Sequence, residues 1–383
     1  MELKYFIYLI VTTSNAVSEG FFPCKDCLPV SVSSAPGVGF GLSFSSGTVA
    51  AHLYNGTVLN LALINATQDY YELMARRVAL PEASPLAKWN KWKRSLNKKF
   101  GKPATRDVGI LAEMLISLRE ATASALNTTL DRVAISHPPI PGLAAYDLSD
   151  ALEYASLRPW VAPDAELPWP EVLWPFLSAG MYIEELTEAH AVMGALGIGL
   201  CENYKNLFDC QKEQQFFPVE KVMVTGLSEA DLRAEVIGAR APFDALENDR
   251  IERLVDLEAG LNACGTFDSD KIYWDHVGGR LRNLLDKLPA KVTLTRVMLV
   301  GENSTHPAFL ERLRDALESS GYSQDRMLIT KGEANDAIDP TFSSARGAAQ
   351  YARWRQEAPM GCLEPIECLD ETRAGHEKKI ELK

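Results

Sequence analysis

Gly37-Val38-Gly39-Phe40-Gly41-Leu42-Ser43-Phe44-Ser45 is followed by Gly47-Thr48-Val49-Ala50-Ala51-His52-Leu53-Tyr54-Asn55-Gly56-Thr57-Val58. An apolar run gives way to a Gly/Ser bend, a second apolar run, an Asn-Gly turn and a third run. That order predicts three strands joined by two tight turns. A Gly-rich bend between strands can aim its backbone N–H groups at a phosphate.

Strands and helices then follow in alternation. Thr105 to Leu126 places Ile110, Leu111, Met114, Leu115 and Leu118 at helical spacing. Asp131 to Ser136 reads as a short buried strand ended by His137-Pro138-Pro139, and Leu143 to Leu157 as a second helix. Pro159 to Pro175 is rich in Pro and Trp and reads as a surface connection. Val222-Met223-Val224 and Ala234 to Gly238 are predicted strands, and Asp275 to Leu288 a helix. Arg296 to Gly301 reads as a buried strand, after which Pro307 opens a helix at its favoured first-turn position.

These elements resemble, in order and spacing, the nucleotide-binding domain of the actin-like ATPase superfamily in its seventy-kilodalton heat-shock chaperone branch. The first phosphate loop there reads G-I-D-L-G-T-T-Y-S. Gly37, Gly41, Ser43 and Ser45 match it, Phe44 stands for the Tyr, and Gly39 replaces the acidic residue. Glu188 matches the Glu that opens a small-residue helix, in which Ala195 and Gly197 match the small positions. The second phosphate loop falls on Gly226 to Arg233, with Gly226 in an aspartate place and Glu229 set near the phosphates. Gly301 and Pro307 keep the adenosine motif, where Glu302, Asn303 and Thr305 replace Gly, Ser and Arg. Asp339 to Gln350 resembles the helix whose Gly347-Ala348-Ala349 packs at the cleft floor.

The resemblance runs from about Gly37 to about Arg355. It implies an α/β fold of two ribonuclease-H-like lobes around a nucleotide cleft, with residues 37–178 and 179–358 as the lobes. It implies a site for ATP with magnesium formed by Gly37, Gly39, Gly41, Ser43, Phe44, Glu188, Gly226, Gly301, Glu302 and Thr305. Phosphoryl transfer relies on carboxylates to hold metal and water. The matched positions on both phosphate loops carry none. The expected function is a pseudo-ATPase that serves as a binding or interaction module for an unidentified protein partner. Catalytic residues are not assigned. The alternative is an active, divergent chaperone-like ATPase that uses non-standard carboxylates; restoring Gly39→Asp and Gly226→Asp separates the two readings. A sugar or metabolite kinase of the same fold and a thiol oxidoreductase are further alternatives.

The 383 residues suffice for two or three domains, and 46% hydrophobic with 23% charged residues is ordinary for a globular chain. A net charge of −12 argues against a general nucleic-acid or anionic-membrane binder. The one basic stretch, Lys88 to Lys102, mixes Lys91, Lys93, Arg94, Lys98 and Lys99 with Trp89, Trp92 and Phe100. It reads as a solvated amphipathic helix with its lysines outward, the other reading being a nucleic-acid patch.

Residues 1–18 read as a signal peptide, with an apolar run from Tyr5 to Val11 and the small-x-small pattern Ala16-Val17-Ser18. That run is too short to span a bilayer. Residues 19–36 form a Cys/Pro/Ser-rich leader and 359–383 a polar tail. Secretion or the secretory pathway is the expected location, a cytoplasmic one the alternative. The sequons at Asn55, Asn65 and Asn127 are candidate glycosylation sites, and a fourth at Asn303 lies in the ligand loop. Seven cysteines include three close pairs: Cys24 with Cys27, Cys201 with Cys210, and Cys362 with Cys368, leaving Cys264 over. Cys24 and Cys27 read as a disulfide rather than a redox pair because no βαβ unit surrounds them. The histidines show no metal-ligand spacing, and no metal site is expected. Asp268, Asp270 and Asp275 read as a solvated acidic loop.

Overall fold

Alternation along the first hairpins builds a mixed sheet. The computed structural model describes residues 22–23, 36–81, 86–160, 186–202, 207–243, 249–322, 328–329, 338–357 and 362–363. Strands β2 (Gly37–Leu42), β3 (Ser46–His52) and β4 (Val58–Asn65) form an antiparallel meander. Gly56, at φ 84°, supplies the left-handed turn that Asn55-Gly56 announces. β5 (Arg132–His137) adds parallel to β2, and the short β6 (Arg158–Pro159) and β7 (Leu186–Thr187) add parallel to β5. A two-residue strand β1 (Phe22–Pro23) lies apart from this sheet.

The second sheet repeats the order. β8 (Glu220–Leu227), β9 (Leu232–Ala239) and β10 (Asp249–Asp256) form the meander. β11 (Arg296–Val300) adds parallel to β8, and β12 (Leu328–Ile329) adds parallel to β11. Both sheets thus run third–second–first–fourth–fifth. β13 (Cys362–Leu363) pairs with β1 instead.

Helices cover both faces of both sheets. On the outside of the first lie α1 (Gln68–Val78), α2 (Lys88–Lys99), α3 (Arg106–Leu126) and α4 (Ala145–Tyr154). Thr105 caps α3 by accepting from the Val108 N–H, and Leu111, Leu115 and Leu118 bury its inner face. On the outside of the second sheet lie α7 (Asp270–Asp286) and α8 (Pro307–Ser319). β8 and β11 divide their side chains between two cores, as period-2 strands must. Met223, Leu227, Val297 and Leu299 meet α7 and α8. Val222, Val224, Met298 and Val300 meet α5 (Glu188–Ala195) on the other face. A further helix, α6 (Leu207–Phe216), precedes β8.

Two helices join the sheets. α9 (Ser343–Glu357) lies flat on the inner face of the first sheet, and α5 on that of the second. They cross where Gly347 meets Ala191: a Cβ on Gly347 would sit 1.6 Å from the Ala191 carbonyl oxygen. The sequence placed this close approach at Ala195 and Gly197. Instead α5 ends at Ala195, and Gly197 (φ 74°) only turns the chain.

Three sequence expectations shift. The helix expected from Asp275 begins at Asp270, because Ser269 caps it by accepting from the Ile272 N–H. Asp270 thereby joins a first helical turn and Asp275 lies inside α7, rather than in a solvated acidic loop. The second helix is shorter than expected, Ala145–Tyr154 rather than 143–157. The largest change is in α2, whose tryptophans face solvent while Arg94 turns inward to Asp147 and Asp150 on α4. The expected signal peptide, most of the Pro/Trp connection and nearly all of the polar tail lie outside the described residues. No helix among the described residues is long and apolar enough to cross a membrane.

The disulfide expected between Cys24 and Cys27 is not among the described bonds. Cys24 lies outside the described residues, and so does Cys27. The disulfide found among the described residues joins a different close pair, Cys201 and Cys210. Both of its sulfurs are buried beside α9 among Leu186, Phe243 and Trp354. Closing a loop of sequence separation 9 removes unfolded-state entropy equivalent to about 2–3 kcal/mol. Cys201→Ser/Cys210→Ser is expected to lower Tm by several degrees, as thermal unfolding by circular dichroism will read.

Candidate functional site

Three turns are joined by hydrogen bonds: the bend Ser43–Ser46, the bend Ser228–Asp231 and the loop after β11. The first bend is a closed turn. The Ser43 N–H donates to the Ser46 carbonyl at 2.8 Å, and the Ser46 N–H donates back to Ser43 Oγ at 2.9 Å. Phe44 is fully buried in the core of the first sheet. The second bend is closed by the Ser228 hydroxyl, which bonds the Asp231 carboxylate and accepts from the N–H groups of Ala230 and Asp231.

Glu302 ties these turns together. Its Oε1 accepts from Ser45 Oγ at 2.7 Å and from the Glu229 N–H at 3.2 Å. Asn303 Nδ2 donates to Glu229 Oε1 at 3.1 Å, and its N–H donates to the Leu227 carbonyl at 3.0 Å. A carboxylate of the chain thus occupies one donor from each of the two bends. The Asn303 side-chain amide, nominally a glycosylation acceptor, is engaged within the fold.

Beneath lies a buried ionic triad. Arg233, on the inward face of β9, reaches Glu188 at the first position of α5 with Nε–Oε2 of 2.7 Å and Nη2–Oε1 of 3.0 Å. Its Nη1 donates to both Asp231 oxygens at 3.0 Å. All three residues are at most 3% exposed. Burial opposes the charge of Arg233, but Asp231 and Glu188 more than reverse this and hold its pKa above the usual arginine range. Glu235, two residues on along the same strand face, pairs with Arg250 at 2.7 Å. Burial pushes its carboxyl pKa up, and Arg250 opposes that shift. The space bounded by Pro139, Glu188, Ala189, Val224, Arg233 and Glu235 does not admit a water molecule, its cavity volume being about 0 Å³. Pockets for small organic ligands hold about 300–1,000 Å³.

The glycines expected to cradle phosphate have another surrounding. Gly37, Gly39 and Gly41 alternate along β2, so they share one face, and that face touches α9. A Cβ on Gly39 would lie 2.1 Å from the Ala349 nitrogen and 2.3 Å from the Ala345 oxygen. A Cβ on Gly226 would lie 2.1 Å from the Val300 oxygen. Neither position has room for the aspartate that the resemblance calls for. Gly301, at φ 91°, turns the chain out of β11 beside Arg233. Thr305 is exposed, as are Asn55, Asn65 and Asn127. The structure therefore brings together Ser43, Ser45, Glu188, Gly301 and Glu302, and sets Gly37, Gly39 and Gly41 against a helix.

Sequence reading gave Arg233 no role, although it carried a signal. An arginine and a glutamate alternate within the buried strand Leu232–Ala239, which requires buried counter-charges. Among the described residues, no group of three or more His, Cys, Asp or Glu side chains is placed to share a metal ion. No protein-family model matches the chain, and no curated protein matches it.

Proposed function

We propose that this chain is a two-lobed actin-like domain that has lost ATP hydrolysis and acts as a binding or interaction module for another protein. The lobes are residues 37–178 and 179–358. The repeated strand order of the two sheets and the crossed pair α5 and α9 between them support the two-lobed reading. One observation carries the loss of hydrolysis: the centre is filled by the chain's own ion pairs. Glu188 and Asp231 are both committed to Arg233. Glu302 occupies the Ser45 hydroxyl and the Glu229 N–H.

The residues present do not fit magnesium ATP. Magnesium takes carboxylate oxygens and keeps several waters in a near-ideal octahedron, and no free carboxylate pair among the described residues of the cleft serves it. Glu229 and Glu302 add negative charge where phosphates would sit, which repels them in a site of low dielectric. The protein partner is best sought in an oxidising compartment, where the Cys201–Cys210 bond persists.

The full chain is expected to release phosphate from magnesium ATP no faster than a protein-free blank. Turnover above the blank that disappears in Glu188→Gln would overturn the proposal in favour of an active, divergent ATPase.

A further inference from the structure

Helix α2 is built inside out. Its buried side chain is Arg94, held by Asp147 at 2.8 Å, by Asp150 at 2.7 Å and by the Tyr146 carbonyl at 3.2 Å. Lys98 joins the same anchor through Asp150 and Glu153. These bonds fix the rotation of the helix about its axis. The opposite side then presents Trp89, Trp92, Leu96 and Phe100, exposed by 67%, 53%, 36% and 73%. At 3.6 residues per turn, these four positions fall within a sector of about 80°. They form one stripe along the helix, with the Trp89 and Trp92 rings stacked at 4.8 Å.

Lysines border the stripe. Lys88 and Lys99 flank it on one side and Lys93 on the other, with Lys91 further round. All four are exposed and have no carboxylate partner among the described residues. The segment Lys88–Lys99 contains no Asp or Glu. In a chain of net charge −12, this segment is locally positive. At physiological ionic strength charges farther away than about 8 Å are screened, so the local sign decides what approaches.

From this arrangement we infer that α2 docks the protein on the surface of an anionic lipid bilayer. Aromatic rings prefer the headgroup boundary, and flanking lysines reach anionic headgroups from there. The rigid Arg94 anchor keeps the stripe outward, and the acidic remainder of the chain is repelled, so a single face meets the membrane. This is peripheral contact, since α2 has 12 residues and lies on the surface. Single-stranded nucleic acid is the other anionic partner with a use for aromatic rings. It is less well served, because the two tryptophans stack on each other and the face is convex rather than a groove. The inference stands apart from the proposed function, since no residue of α2 touches the cleft.

Flotation of the full chain with vesicles will test it, using phosphatidylcholine alone and equal parts phosphatidylcholine and phosphatidylserine. The protein should float with the phosphatidylserine vesicles only, and high salt should release it. Lys93→Glu/Lys99→Glu and Trp89→Ser/Trp92→Ser/Phe100→Ser should each weaken binding at least about tenfold, with Tm unchanged because every altered side chain is exposed. Equal flotation with both vesicle types, none with either, or binding unaffected by both variants would overturn the inference. So would tight binding of a single-stranded oligonucleotide in place of the vesicles.

Discussion

Arg233→Met is expected to cost about 3–5 kcal/mol of stability and to lower Tm by the order of 10 °C. The substitution keeps an unbranched apolar stem and removes the guanidinium with its charge. Glu188 and Asp231 are then left as two like charges in a site that excludes water, each at most 3% exposed. That uncompensated burial, more than the loss of the bonds themselves, sets the size of the effect. Removing all three charges together has a different result. Arg233→Met/Glu188→Leu/Asp231→Leu should recover most of the loss, because a buried ion triad and an apolar cluster of similar volume are close in free energy. Urea unfolding of the single and triple variants checks this, and a triple variant no more stable than the single one would contradict it.

Gly39→Asp, which on sequence grounds would put back one missing carboxylate, is expected instead to destabilise the protein by at least about 3 kcal/mol. The contacts at 2.1 and 2.3 Å are to the backbone of α9, which can yield only if the whole helix lifts from the sheet. The new carboxylate would also be buried with no partner provided. Gly347→Ala tests the steric part by itself, since it adds one methyl against the Ala191 carbonyl at the crossing of α5 and α9. Both variants should unfold at lower urea than the wild type, and neither should gain ATP turnover. A Gly39→Asp protein of unchanged stability would contradict the packing described.

The meander of the first sheet was legible because each of its turns has local chemistry: a Gly/Ser bend and an Asn-Gly pair. The Pro307 helix start and the α3 core stripe were legible for the same reason. The role of Gly37, Gly39 and Gly41 was harder to read. Their spacing of two could be seen to put them on one strand face, but the helix that fills that face lies some three hundred residues further on. The inversion of α2 depended on Asp147 and Asp150, more than fifty residues away. In isolation KWNKWKRSLNKK puts its rings on the apolar side, and only a buried acidic partner turns them out. The triad escaped notice because its members come from three places: the start of α5, the β8–β9 bend and β9 itself. Local pattern carries no information on which charges will meet. Cysteine spacing was legible in part, since Cys201 and Cys210, a close pair in the chain, are bonded.

The central claim is that the chain's own side chains fill the cleft between the sheets. Calorimetric titration of the full chain with magnesium ATP tests it most directly. The account predicts no saturable heat, which places any dissociation constant above about 1 mM. A one-to-one isotherm in the micromolar range would contradict it, since the nucleotide would then have to displace Glu302 from Ser45 and the Glu229 amide.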